Sequence, residues 1–288
     1  MSDVQVSIAA LNVHPIKSCA GIALTETLVI ETGFEFDRAW MVVDAEGMFV
    51  TQRELPRLAL VRPTLKQHDM VLRAPGMLAL HIALDTVEQP VRVRVWNDEV
   101  AAYDMGDLAA QWFSDFLVPV NGGKVRLVRF DPEHKRLSNR KWTGAIEAEN
   151  AFSDGYPILV ASSAGLAEFN RRLAQAGQPA VTMERFRPNL VLDGLDAHGE
   201  DHLDEIVFAT DEGPVKLKLV KPCARCSIPD VDPLTAETGH AVGDVLASYR
   251  ADARLDGALT FGMNAVIVEG IERALRTGMA GEGTYRFD

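Results

Sequence analysis

Cys223 and Cys226 lie three apart in KPCARC, residues 221–226, directly after the alternating run VKLKLV. A thiolate binds soft metals or attacks electrophiles, and flanking positive charge of the kind Lys221 and Arg225 carry stabilises it. Counting ligands narrows the options. Structural zinc needs four, and beyond this pair the chain offers Cys19 and seven histidines, with no second CxxC. An iron–sulfur cluster takes four cysteines where this chain has 3. A thioredoxin-like dithiol sits at a strand-to-helix turn, whereas SIPDVDP follows here, and Pro229 and Pro233 prevent a long helix. The acidic run DVDPLTAETG, residues 230–239, lacks the glycine and third acidic ligand of a calcium loop. Two readings stay open: inert thiols at a strand end, or one thiolate with a special task. An odd number of cysteines also fits reduced thiols better than a disulfide framework.

Four further stretches carry groups that suit a polar or anionic ligand. HPIKSC, 14–19, ends a strand with Lys17 and Ser18, a natural pair for phosphate oxygens. DRAW, 37–40, places Arg38 just before a strand, where a guanidinium can clamp phosphate through two parallel bonds. FSDGYP, 152–157, sets Asp154 and Gly155 in a turn signal ahead of an apolar run. In RFRPNLVL, 185–192, Arg187 and Asn189 alternate with Phe186 and Pro188, so both can face one side. Taken singly, an ordinary turn or surface ion pair explains each of them.

The elements that must position these groups are mostly strands. VQVSIAAL and VRVRVW alternate, with Arg92 and Arg94 on the solvent side, and AWMVVD and MFVTQ flank AEG as a hairpin would. A helix is expected over Leu108–Leu117, capped by Asp107, with Leu108, Trp112 and Phe116 on its apolar face. A Gly122–Gly123 turn then leads into KVRLVRF. Asp131 to Tyr156 is long, polar and irregular, which suggests a functional or a mobile loop and a candidate boundary region. PILVAS reads as a buried strand and SSAGLAEFNRRLAQAG as a helix with a serine cap, closed by Gly177. NLVLDG, EIVFAT, VKLKLV and NAVIVEG read as strands, with a short helix over DVLASYRADA. Strands without regular helix alternation predict a β-rich α+β barrel fold and exclude a doubly wound parallel sheet.

A chain of 288 residues, 47% hydrophobic and 24% charged, has the composition of a globular protein and the length for two domains. Its net charge of −12 argues against nucleic-acid or anionic-membrane binding as a general role. The start, MSDVQVSIAALNVHP, has no signal-peptide pattern, and no stretch reaches about 18 apolar residues. A cytoplasmic location without a membrane partner is the expectation.

In order and spacing, HPIKSC, DRAW, SDGYP, RFRPN and CARCSIPDVDPLTAETG resemble the MOSC family, and within it the two-domain branch of the mitochondrial amidoxime-reducing component and bacterial relatives. The resemblance runs from about residue 5 to residue 285. It implies an N-terminal β-barrel-like domain, 1–125, followed by a MOSC-type β-barrel domain, 126–288, with a molybdenum–molybdopterin cofactor between them. Pyridoxal phosphate binding is a second ligand association of the family. Carried over residue by residue, Cys226 would be the thiolate ligand of molybdenum, with Cys223 its neighbour. Lys17, Ser18 and Arg38 would contact the cofactor phosphate, Arg187 and Asn189 its pterin side. Asp154, Gly155 and Tyr156 would line the pocket near the metal, where mitochondrial members carry small hydroxyl residues instead of Gly155 and Tyr156. Asp154 is the one carboxylate nominated for catalysis. The implied activity is reduction of N-hydroxylated small molecules, hydroxylamines and amidoximes, to amines. Electrons would come from a separate donor protein of reductase, ferredoxin or cytochrome type, since no cysteines remain here for a cluster. The alternative is a molybdenum cofactor-binding or carrier protein, or a sulfur-transfer protein with a cysteine persulfide, without reductase turnover.

Overall fold

A computed structural model describes residues 2–85, 89–118 and 123–286. Its largest element is a closed barrel of seven strands. Around the barrel run Ile158–Ser162, Leu190–Asp193, Val4–Val13, Ala280–Tyr285, Leu203–Thr210, Gly213–Ala224 and Ala258–Glu269, which returns to pair with Ile158–Ser162. One neighbouring pair, Ile158–Ser162 with Leu190–Asp193, is parallel, and the rest are antiparallel. Closure removes the unpaired edges that an open sheet would expose.

Side-chain alternation dictates which face turns inward. In Gly213–Ala224, Val215, Leu217 and Leu219 are fully buried, while Lys216 and Lys218 point outward to Glu205 and Asp204 on the neighbouring strand. Val6, Ile8, Leu11 and Val13 from the first strand fill the same interior with Leu190, Leu192, Ile206 and Phe208. At Gly281 a Cβ would lie 2.6 Å from the Phe208 ring, so only glycine lets those two strands meet there.

Strand pairing crosses the expected division at residue 125 in both directions. Val4–Val13 sits inside the barrel wall formed by the C-terminal half, and Arg126–Phe130 pairs with Trp40–Val43 and with Asp98–Asp104 of the N-terminal half. That four-stranded sheet is completed by Gln89–Val95, on which Arg92 and Arg94 are exposed as their alternation requires. A second N-terminal sheet consists of Arg62–Leu65, Asp69–Arg73 and Leu80–Ala83.

Four α-helices are present among the described residues: α1 Gly106–Leu117, α2 Arg140–Thr143, α3 Ser163–Gln175 and α4 Ala241–Ala247. Helix α3 follows the sequence expectation, with Ser162 Oγ accepting from Gly165 N and Gly177 in the left-handed region. Helix α1 corrects it. Leu108 is 74% exposed, and the buried side is Ala109, Trp112, Phe113, Phe116 and Leu117, one position round from the expected stripe. Its first turn is held by Asp104, whose Oδ1 accepts from Gly106 N, while Asp107 pairs with Arg126. The expected DVLASYRADA helix lies earlier and is shorter, as α4, because Ala251–Asp252 pairs with the barrel strand Ala258–Glu269. MFVTQ contributes single bridges from Met48 and Phe49 and no continuous strand. The Gly122–Gly123 turn falls at the edge of the region outside the described residues. No helix among those described is long and apolar enough to cross a membrane.

Candidate functional site

One rim of the barrel gathers the loop after Val4–Val13, the approaches to Ile158–Ser162 and Leu190–Asp193, and the end of Gly213–Ala224. Between this rim and the N-terminal sheet lies a cleft lined by Lys17, Ser18, Arg38, Arg53, Trp96, Asp154, Tyr156, Arg187, Asn189, Cys223, Arg225, Cys226 and Asn264, among others. Every residue singled out for the ligand in the sequence is on that surface, although Lys17 and Cys226 are far apart along the chain.

The loop from His14 to Cys19 is tied to the segment from Asp37 to Trp40. Arg38 N donates to His14 O at 2.9 Å, Lys17 N to Trp40 O at 2.8 Å, and His14 N to the buried Asp37 carboxylate at 2.7 Å. Arg38 then reaches across to the barrel. One nitrogen donates to Asp37 Oδ2 at 2.6 Å and Asn189 Oδ1 at 3.0 Å, the other to Arg187 O at 3.1 Å. Burial opposes the charge of Asp37, but Arg38 and His14 overcome it and hold the carboxyl below the usual aspartate range. Arg187 donates to Cys19 O at 2.6 Å; burial and the nearby Arg38 guanidinium push its pKa down to about 10. Asp37 and Asp154 offset part of the charge of this arginine pair, and the remainder favours an incoming anion.

Lys17 is almost fully buried. Its ammonium donates to Phe152 O at 2.9 Å and to Asp154 Oδ1 at 2.5 Å, and burial pulls its pKa down against the upward pull of Asp154. The Asp154 side chain is 72% exposed on the other side of this bond. Enclosure by the cleft works against its charge, yet Lys17, Arg38 and the Trp96 indole keep its pKa well below the ordinary value. The loop that presents Phe152 and Asp154 is fixed from below by Arg136, which donates to Asn150 Oδ1, Ala151 O and Ser153 O at 2.6, 2.9 and 2.7 Å, and to Asp98 at 2.8 Å.

On the thiol side, Cys223 is the next-to-last residue of its strand and Cys226 lies just beyond the end, exposed on the cleft. Arg225 donates to Cys223 Sγ at 3.1 Å and to Phe186 O at 2.8 Å, so the guanidinium serves the first sulfur and leaves the second open. Cys19 is fully buried, and burial pushes its thiol up to about 12. Tyr156 packs against the cluster of Ala148, Val220 and Val266, its hydroxyl is enclosed without a hydrogen-bond partner, and burial raises its pKa to about 12. The Lys221 ammonium lies 5.7 Å from the Tyr156 ring centroid.

Asn189 is placed differently from the sequence expectation. Its amide oxygen accepts from Arg38 and Leu159 N, and its amide nitrogen donates to Asn12 O, so the group ties the barrel rim together. Sequence reading missed Arg53 and Trp96. The arginine lies 4.9 Å from the centroid of the indole ring, which Phe49 meets edge-on. A tryptophan at the hairpin position between VRVRV and NDEV was the available signal, since a bulky side chain fits poorly where Trp96 takes φ +56°. Asn264, a polar interruption of FGMNAVIVE, was another. Ser18, Arg38 and Arg187 also occupy the left-handed region. Such conformations cost about 1–3 kcal/mol each and concentrate at functional sites.

Two family models match the chain: the MOSC N-terminal beta barrel domain over residues 5–119 and the MOSC domain over residues 147–279. Mitochondrial amidoxime reducing component 2 of Rattus norvegicus is 36% identical over 255 residues, covering 85% of this chain and 72% of that protein. Mitochondrial amidoxime-reducing component 1 of Mus musculus is 34% identical over 253 residues, with 85% and 71% covered. Molybdenum cofactor sulfurase of Homo sapiens is 28% identical over 261 residues, which is 84% of this chain and 28% of the relative. The cleft therefore lies in a chain that belongs to the MOSC-domain family, in its two-domain branch with the mitochondrial amidoxime-reducing components.

Proposed function

We propose that this protein is a molybdenum-cofactor-dependent reductase that converts N-hydroxylated small molecules to amines. The observation that supports this most is the meeting of an exposed thiol, Cys226, with five cationic side chains, Lys17, Arg38, Arg53, Arg187 and Arg225, on one cleft of a protein with net charge −12. A pterin cofactor with an anionic phosphate and a soft metal asks for that donor set. Among the described residues no group of three or more His, Cys, Asp or Glu side chains converges to hold a metal. A metal here would take Cys226 as its protein ligand and its other ligands from the cofactor. Lys17, Ser18 and Arg38 would meet the phosphate, and Arg187 the pterin side.

When bound, the cofactor supplies a two-electron centre able to take up the N–O oxygen. The chain's own residues bind, orient and shield. Trp96 and Tyr156 wall the cleft and narrow solvent access, and Arg225 fixes the Cys223 sulfur beside Cys226. Asp154 keeps its charge while bonded to Lys17, so in this reading it is a charge partner and the protons arrive from water in the cleft. Electrons would come from a separate donor protein.

Molybdenum and pterin content tests this directly, in protein from a host that makes molybdopterin. Wild type should carry close to one metal per chain and reduce an aromatic amidoxime with a chemical electron donor. Cys226→Ala should lose metal and activity, and Cys223→Ala should keep the metal. Wild type holding neither metal nor pterin rejects the reading. The bond from Arg225 to Cys223 Sγ favours a second one, in which Cys223 carries a persulfide. Cyanide-releasable sulfur that disappears in Cys223→Ala would select it.

A further inference from the structure

We propose that Asp154 is an exchangeable counter-ion, holding the buried Lys17 charge while the cleft is empty and giving up its place to an anionic ligand. The inference rests on the anion site described under the proposed function and concerns how that site is loaded. Lys17 is 6% exposed, a depth at which an ammonium is costly unless paired. Its fixed partner is the Phe152 carbonyl, a backbone atom held in place by the Arg136 bonds on either side of it. The second partner differs in kind. Asp154 belongs to a side chain that is 72% exposed, on a residue followed by Gly155, where nothing lies within 4 Å of an added Cβ. A carboxylate so placed can turn to solvent without breaking any core contact.

Among the described residues, Asp154 is also the one carboxylate lining a cleft with five cations. Its oxygen occupies, at 2.5 Å from the ammonium, the position a phosphate oxygen would take. Both anions cannot hold that position, so binding one displaces the other. Loading an anion thus replaces the Asp154 carboxylate beside the Lys17 ammonium and turns that carboxylate wholly to solvent.

Inorganic pyrophosphate titrated into the cofactor-free full chain provides the test, read by calorimetry and by thermal shift. Removing the competitor in Asp154→Asn should tighten pyrophosphate binding about tenfold. This variant should melt lower than wild type without anion and gain more from saturating pyrophosphate. Lys17→Met should bind more weakly than either. If Asp154→Asn binds no tighter than wild type while Lys17→Met still loses affinity, the exchange is overturned and the anion site stands. If Lys17→Met binds as wild type does, the anion sits elsewhere and both readings fall. Absence of binding to both wild type and Asp154→Asn also overturns the inference, because a freed Lys17 would then attract no anion.

Discussion

Arg38 gives its guanidinium to the Asp37 carboxylate, the Asn189 amide and the Arg187 carbonyl, and its backbone carbonyl accepts from Phe152 N. It joins the N-terminal loop, the barrel rim and the 131–156 loop at one point. Arg38→Met should therefore cost roughly 3–5 kcal/mol, because Asp37 is left charged and buried. Asp37→Asn combined with Arg38→Met should recover much of that loss, and a denaturant-based double-mutant cycle measures it. Thiol reactivity is a second check on the residues. With its thiol pushed up to about 12 and no exposure, Cys19 should resist iodoacetamide at neutral pH in the native protein, and the mass should stop at modification of Cys223 and Cys226. Labelling of Cys19 before unfolding would contradict the packing. That Lys17, Arg38, Arg187 and Cys226 line one cleft was legible only through the resemblance of the five motifs taken together, since each stretch alone reads as an ordinary turn or ion pair. The internal engagement of Asn189 was not, since nothing in RFRPN says that Asn12 and Leu159 will meet its amide.

Among the elements, the segment from Asp131 to Tyr156 shows how a loop with one short helix is made rigid. Arg136 is buried and makes four hydrogen bonds, three of them to residues 150–153. Arg136→Leu should remove these and cost on the order of 2–4 kcal/mol by leaving buried acceptors unpaired. Limited proteolysis within 131–156 should accelerate in the same variant, and an unchanged cleavage rate would show that the loop is held by something else. Length and polarity in the sequence left this stretch as either a functional or a mobile loop, and they did not show that Arg136 would hold it. Sequence reading misjudged α1 by one position, because Leu108, Trp112 and Phe116 fit a helical stripe as well as Ala109, Trp112, Phe113 and Phe116 do. Two of those residues are shared, and the neighbouring sheet decides the choice, an influence that no local spacing contains.

For the whole molecule, pH acts through a polar cluster behind the barrel. Glu200 is fully buried, accepts from Ser162 N and Oγ, and burial lifts its pKa from 4.5 to about 7. Nearby His198 has its pKa lowered from 6.5 to about 4 by burial and by Arg250. Between about pH 4.5 and 6.5 their effects oppose. The folded state keeps a proton on Glu200 that the unfolded chain loses, so stability falls as pH rises; the unfolded chain keeps a proton on His198 that the folded state rejects, so stability rises. From 6.5 to about 7 only the glutamate effect continues. Glu200→Gln should therefore be more stable than wild type at pH 8, by up to roughly 3 kcal/mol, with the gain fading as pH falls towards 4.5. Chemical denaturation at the two pH values measures it, and equal gains at both would assign the effect to packing.

The barrel wall places Val4–Val13 between Leu190–Asp193 and Ala280–Tyr285. A nascent chain thus makes one of its earliest strands long before either neighbour exists. Pairing of such sequence separation is slow to form and leaves strand edges open meanwhile. Lys17, carried just beyond that strand, finds its partners in Trp40, Phe152 and Asp154, all made after it. A complete cleft therefore waits on segments as late as Asn264, and a ligand that needs all of its walls meets them only after most of the chain has been made.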